Sequence, residues 1–341
     1  VVKNSKYLIM SRPHRSLFSL SSPILGLLVV LGVFLTLFSL RGELDRFTRL
    51  SNIQVLVHGH TYVAVAALGM LIVIIGGGID LSTGSVVALV TVTTMQTYRM
   101  LFAHSGSTAL ASLGAMPVGV AIGGACGLVN GLVITRLKVT PFVATLGMLS
   151  IARGAALWLA ERQTLNFPVG GRPGWVDALA RVASPYLVFE PGFWIMLALA
   201  AVVALLLHWT VLGRYCYAIG SNEAGTRLCG IRVERSKVAF YTLGGVLAGV
   251  AGLLLFARVG GDPNCAQALE LEVIAAVVIG GASLSGGQGT VLGTLLGVLI
   301  LAILKNGVDN FNVAVEIQYV LIGAIIIANT ALAQWQRRRA N

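Results

Sequence analysis

The stretch IIGGGIDLSTGS, residues 74–85, sets one carboxylate, Asp80, behind three glycines and between two long apolar runs. An acid in apolar surroundings has few chemical uses. It can accept hydrogen bonds from the free N–H groups of the helix that starts near Ser82, it can line or gate a polar path, or it can carry a coupling ion. A charge at the centre of a bilayer costs about 2.5–3.5 kcal/mol on insertion scales, so Asp80 is expected to face protein or water and not lipid. The rest of the chain offers little catalytic chemistry. None of the five lysines, Lys3, Lys6, Lys138, Lys237 and Lys305, is followed by Ser or Thr, which excludes a G-x-x-x-x-G-K-[ST] phosphate loop. Neither H-E-x-x-H nor G-x-S-x-G occurs. His58 and His60, in VHGHTY, are the one close histidine pair. With no acid beside them in sequence they read as a satisfied pair at a membrane edge, and no metal site is expected. Cys126, Cys216, Cys229 and Cys265 lack C-x-x-C spacing and read as small packing residues.

The elements that must hold Asp80 are membrane helices. Of 341 residues, 56% are hydrophobic and 11% charged, and the mean hydropathy is +0.86. A soluble domain carries about 25% charged residues. Apolar runs near 23–40, 55–76, 84–103, 115–135, 140–160, 192–212, 237–257, 269–284, 289–305 and 313–334 predict about ten spans, the shorter of which could re-enter on one side. The first run is too long for a signal-peptide core and no cleavage site follows it, so it is taken as a span. The 41 glycines suit close-packed and interrupted membrane helices. The expected fold is an all-α polytopic membrane helix bundle forming a single transmembrane domain over 1–341.

The net charge of +11 is concentrated in four places. Lys3, Lys6, Arg12 and Arg15 precede the first run, and Arg136 and Lys138 share a short loop. Arg214, Arg227, Arg232, Arg235 and Lys237 occupy the longer loop 213–236, and Arg337, Arg338 and Arg339 close the chain. The positive-inside rule puts all four segments, and both termini, in the cytoplasm. The loop 161–191, rich in Pro and Gly with Trp175 and Tyr186, falls outside as a docking surface or a connector with short interfacial structure. The basic excess therefore records topology and contact with membrane lipids, and nucleic acid is not an expected partner.

Two segments echo each other. IGGGIDLSTGS at 75–85 and IGGASLSGGQG at 279–289 each interrupt a pair of apolar runs, a pattern that points to a central site between two pseudo-repeats of a transporter. The polar loop 213–236 also holds a short potential helix, Glu223 to Leu228, followed by Gly230, which would present a knob to a soluble partner.

These blocks carry a resemblance. GGIDLSTGS at 77–85, PFVATLGM at 141–148 with Arg153 and Gly154, AIGSNEAGTRLCGI at 218–231, and LELEVIAAVVIGGASLSGGQGTVLGTLLG at 269–297 are similar, in order and over most of the chain, to the permease subunits of ribose, galactofuranose and related sugar ABC importers. The resemblance implies a bacterial inner-membrane permease that needs no cofactor. Its implied partners are cytoplasmic ABC ATPase subunits, a periplasmic sugar-binding protein, and a second permease subunit, identical or paralogous. It implies that Asn222, Glu223, Ala224, Arg227, Gly230 and Ile231 couple to the ATPase. Three departures stand out: Gly225 and Thr226 replace a pair of alanines and weaken the helix propensity of that segment, Glu272 stands where an Asp is usual, and Ile322 replaces a common Lys.

A neutral sugar needs hydrogen-bonding groups along a wide passage. Gly77, Gly78, Asp80, Ser82, Asn130, Thr145 and Asn306 are the candidates for path or gate, with helix–helix hydrogen bonding as the competing role of the last three. Arg153, well inside an apolar run, must find a carboxylate, carbonyl or water, and of these a structural ion pair is expected. The reading is a carbohydrate permease energised by a separate ATPase. Its rivals are an ion-coupled secondary transporter of a small polar solute, with Asp80 carrying the ion, and an oligomeric channel.

Overall fold

The apolar runs fold as helices in a computed structural model that describes residues 16–183 and 188–311, together with 317, 320 and 323. The described helices are α1 (Ser16–Leu40), α2 (Leu44–Thr48), α3 (Leu50–Ile75), α4 (Thr83–Ser105), α5 (Thr108–Arg136), α6 (Pro141–Leu159), α7 (Gly174–Ala180), α8 (Pro191–Trp209), α9 (Val211–Ser221), α10 (Glu223–Leu228), α11 (Val233–Val259), α12 (Leu269–Ile279) and α13 (Val291–Asn310). No strand is present among the described residues; Leu165 and Gly261 form one isolated antiparallel bridge. Eight helices, α1, α3, α4, α5, α6, α8, α11 and α13, are long and apolar enough to cross a membrane.

The two remaining expected spans have different outcomes. The run 269–284 does not fold as a span: its helix α12 has 11 residues, about 16 Å at 1.5 Å per residue, and it stops at Gly280 and Gly281. The run 313–334 lies outside the described residues except at 317, 320 and 323, and Lys3, Lys6, Arg12, Arg15, Tyr186, Ile322 and Arg337–Arg339 lie outside them too.

Helix α3 is the axis. It is buried almost throughout from Val63 to Ile75, whereas α1 is mostly exposed, because α3 is apolar on every face there and only a surrounded helix can satisfy that pattern. Helices α8, α11, α12 and α13 surround it. A second cluster, in which the rings of Phe38 and Phe47 stack with centroids 4.6 Å apart, joins α1 and α2 to α13.

The α5–α11 contact is closer than side chains permit. A Cβ placed on Gly123 would lie 2.5 Å from the Gly245 carbonyl oxygen, one on Gly131 would lie 2.8 Å from the Val238 Cα, and one on Gly127 would strike the Tyr241 carbonyl. Three glycines at four-residue spacing thus let two backbones touch, the arrangement that drives association where lipid removes the hydrophobic incentive.

The bundle has two distinct ends. One carries α9, α10 and the loop between α5 and α6, with Lys138 Nζ 3.7 Å from Glu234. The other carries the 160–183 segment, which is pinned rather than loose: Tyr98 donates to the Gly171 carbonyl at 2.7 Å and Trp175, on α7, donates to Ser112 Oγ at 2.9 Å.

Replacing Gly127 with Val should destabilise the fold by about 1–3 kcal/mol, seen as a lower melting temperature of the detergent-solubilised protein. Gly147→Ala, whose new Cβ meets nothing within 4 Å, should leave melting unchanged. Equal melting of the two variants would mean that α5 and α11 are not in backbone contact.

Candidate functional site

The two glycine segments end their helices in the same way. At α3, the Gly78 N–H donates to Val73 O at 2.9 Å and the Gly77 N–H to Ile74 O at 3.0 Å, with Gly77 at φ +80°. At α12, the Ala282 N–H donates to Val277 O at 3.1 Å and the Gly281 N–H to Val278 O at 2.9 Å, with Gly281 at φ +90°. Both are Schellman caps, which require a left-handed residue where only glycine sits without strain.

These caps converge on the end of α9. The Gly287 N–H donates to the Ile75 carbonyl at 2.8 Å. A Cβ on Gly220 would collide with that same carbonyl and with the Gly287 nitrogen, and a Cβ on Gly286 would lie 2.9 Å from the Cα atoms of both Gly220 and Gly77. Tyr217 Oη donates to Gly289 O at 2.9 Å, and Cys216 Sγ reaches Ile72 O at 3.2 Å. Helix α9 therefore touches both breaks through backbone.

Beyond Gly78 the chain is irregular through Asp80 and turns at Leu81 and Ser82 into α4. Asp80 is buried, and its Oδ1 accepts from the Ser82 N–H at 2.9 Å and from Ser82 Oγ at 2.5 Å. Asn130 on α5 donates to Ser82 Oγ at 3.0 Å, and Tyr241 on α11 donates to Ile79 O at 3.3 Å. Asp80 thus holds the turn that starts α4, three residues before its first helical position, Thr83.

Of the path candidates, the fold brings together Gly77, Gly78, Asp80, Ser82 and Asn130. It does not bring in the other two. Thr145 Oγ1 bonds Pro141 O at 2.9 Å within its own helix. Asn306 exchanges two 3.0 Å hydrogen bonds with Asn52, pinning α13 to α3.

Asn222 caps α10, accepting from the Gly225 N–H at 2.8 Å. The segment is helical despite Gly225 and Thr226 because this cap, and a 2.7 Å bond from Thr226 Oγ1 to Asn222 O, offset their low propensity. Glu223 bonds Lys237 Nζ at 2.6 Å and Arg227 at 3.2 Å, and Arg227 also bonds Glu234. The Lys237 ammonium, partly opposed by burial and helped by Arg227, holds the Glu223 carboxyl below its ordinary range. Its pairing is therefore complete above the usual carboxylate range and is lost only as pH falls through the lowered value. Such exposed pairs set position more than stability. Ala224 and Leu228, four residues apart, point outward, and Leu228 is 89% exposed. Gly230, at φ +80°, turns the chain and Ile231 leads it into α11.

Several residues of the candidate site escape sequence reasoning. Gly220 and Tyr217 carry the contacts above and Leu228 stands exposed on α10; the spacing of Ala224 and Leu228 is the one local signal. Between α11 and α12, residues 260–268 run irregularly, with Ala266 and Ala268 in the left-handed region and Asn264 and Gln267 exposed. Non-glycine residues with φ near +55° are strained and gather at functional sites. Arg153 secures this segment by donating to Pro263 O at 2.7 Å and Cys265 O at 3.0 Å. It forms no ion pair among the described residues, contrary to expectation, because the irregular segment offers free carbonyls where a charge partner was anticipated. The histidines do have acids: His58 bonds buried Glu190, and His60 Nε2 lies 3.8 Å from Glu272. Arg258 completes the first pair by bonding Glu190 at 3.0 Å. No group of three or more metal-ligating side chains occurs among the described residues.

Comparison with known proteins places this architecture. Residues 52–330 match the family described as branched-chain amino acid transport system / permease component. The ribose import permease protein of Escherichia coli (strain K12) is 34% identical over 308 residues, covering 89% of this chain and 90% of that protein. The ribose import permease protein of Bacillus subtilis (strain 168) is 37% identical over 308 residues, covering 89% and 92%. The L-arabinose ABC transporter permease protein of Azospirillum brasilense is 32% identical over 315 residues, covering 90% and 87%. No solved structure gives a significant match. With family coverage beyond half of the chain and eight helices able to span a bilayer, this multi-pass membrane protein belongs to the permease-component family of ABC-type transport systems.

Proposed function

We propose that the chain is the translocating subunit of a bacterial inner-membrane importer for a monosaccharide or related carbohydrate. It would be energised by cytoplasmic ABC ATPase subunits, supplied by a periplasmic sugar-binding protein, and paired with a second permease. Similarity to ribose and arabinose permeases supports the substrate class. The clustering of Arg and Lys supports an orientation with α10 and both termini in the cytoplasm.

One observation carries the mechanism: α9, continuous with the α10 knob through Asn222, meets the Ile75 carbonyl and the Gly287 N–H at Gly220. Backbone contacts have no side-chain rotamers to absorb a displacement, so a push on α10 would reach the ends of α3 and α12 together. In this reading Asn222, Glu223, Ala224, Arg227, Gly230 and Ile231 form the coupling surface, joined by Leu228 as its apolar anchor. Gly77, Gly78 and Asp80 form the turn that moves, while Ser82, Asn130, Asn264 and Gln267 offer the neutral donors and acceptors that a sugar needs. Thr145 and Asn306 serve helix packing instead.

Leu228→Asp should weaken association with the ATPase about thirtyfold, as expected for an apolar hot spot, without unfolding a chain in which that side chain is exposed. Co-purification and ATP-driven uptake in proteoliposomes measure this, and unchanged values for both would remove Leu228 from the interface. Asp80→Asn keeps an acceptor for Ser82 and should retain sugar uptake within about tenfold, whereas Asp80→Ala should lower stability by about 1–3 kcal/mol. Abolished uptake in a stable Asn variant would instead make the negative charge itself the gate.

A further inference from the structure

On the face that carries α10, the carboxylates are already taken. Glu223 is bound by Lys237 and Arg227, and Glu234 by Arg227 and Lys138. Arg232 and Arg235 are exposed and have no side-chain partner among the described residues. They form one wall of a cavity of about 490 Å³, with Ser236 beside them and Val211, Leu212 and Tyr215 of α9 opposite. Exposed apolar side chains precede that wall in the chain: Val202, Leu205 and Trp209, at 57%, 54% and 80% exposure, lie at i, i+3 and i+7 on one face of the span α8, and Val211, itself 50% exposed, follows two residues later. Trp209 marks the level at which aromatic side chains sit among headgroups.

We propose that this cavity binds the phosphate of an anionic phospholipid, with Arg232 and Arg235 on the phosphate oxygens and an acyl chain along the Val202–Leu205–Trp209 stripe. Two guanidinium groups without carboxylates need an external anion, and arginine is suited to phosphate oxygens. Basic pockets beside membrane helices on the cytoplasmic side hold such headgroups. An acidic protein surface would explain the arginines but not the exposed apolar stripe on the span α8 that precedes the cavity wall in the chain. Gly230 and Ile231 also border the cavity, so the lipid would brace the coupling segment from behind. The assignment to the cytoplasmic leaflet rests on the orientation proposed above.

Native mass spectrometry of the purified full chain, without ATPase or sugar, tests the site independently of transport. The parent chain, exchanged into mixed micelles of phosphatidylglycerol and phosphatidylethanolamine, should retain phosphatidylglycerol selectively. Arg232→Gln with Arg235→Gln should bind it about thirtyfold more weakly, at about fivefold per arginine near an anionic surface, while Arg181→Gln at the other end should not. Matched melting temperatures establish that the double variant is folded; should it fail that check, the single Arg235→Gln variant carries the test at about fivefold. Equal retention by parent and variant would overturn the proposal. So would displacement of the lipid by inorganic phosphate at equal concentration, which would assign the site to a free anion. Unchanged lipid retention with lost ATPase association would overturn it as well and give the arginines to the docking surface.

Discussion

A helix end packed among other helices must find partners for the backbone groups it frees, because a buried carbonyl left unpaired is costly. The 2.8 Å hydrogen bond from the Gly287 N–H to the Ile75 carbonyl is where this chain meets that requirement across a separation of more than two hundred residues. The end of α3 and the loop after α12 satisfy each other, and Gly220 of α9 fits between them only because it has no side chain. Helix ends, glycine positions and the attachment of α9 all follow from that meeting.

The surroundings protect it. Tight α5–α11 packing through Gly123, Gly127 and Gly131 fixes Asn130 and Tyr241 where they can hold Ser82 and Ile79. Arg153 holds the irregular 260–268 segment by its carbonyls. At the other end, Glu190 draws His58, Thr61 and Arg258 into one buried cluster, so α3, α8 and α11 are tied at both ends and leave the interrupted segments between them as the least regular parts. Buried polar groups paired across helices in this way favour one arrangement of a bundle.

Much of this was legible in the sequence because membrane helices announce themselves by length and apolarity. The runs 55–76, 140–160 and 237–257 become α3, α6 and α11 with ends shifted by a few residues, and the I-G-G triplets mark both Schellman caps. The failures have physical reasons. The 269–284 run continues apolar past the glycines, so hydropathy cannot reveal that α12 has already ended. Weak propensity at Gly225 and Thr226 was outvoted by the Asn222 cap. Contacts such as His58 with Glu190, and Gly220 with Gly287, join residues remote in sequence and carry no local signature. Arg153 was expected to seek a charge because a run of spans hides the irregular backbone that actually receives it.

The central claim is that α9–α10 and the glycine breaks move as one body. Double electron–electron resonance on the assembled transporter tests it, with spin labels at Cys229 and Ser285→Cys, the other three cysteines replaced, and Ser150→Cys on α6 as the reference position. On ATP binding the Cys229-to-285 distance should keep its value and width while the Cys229-to-150 distance changes. A change in the Cys229-to-285 distance would contradict the account, because the coupling segment would then slide past the breaks without carrying them.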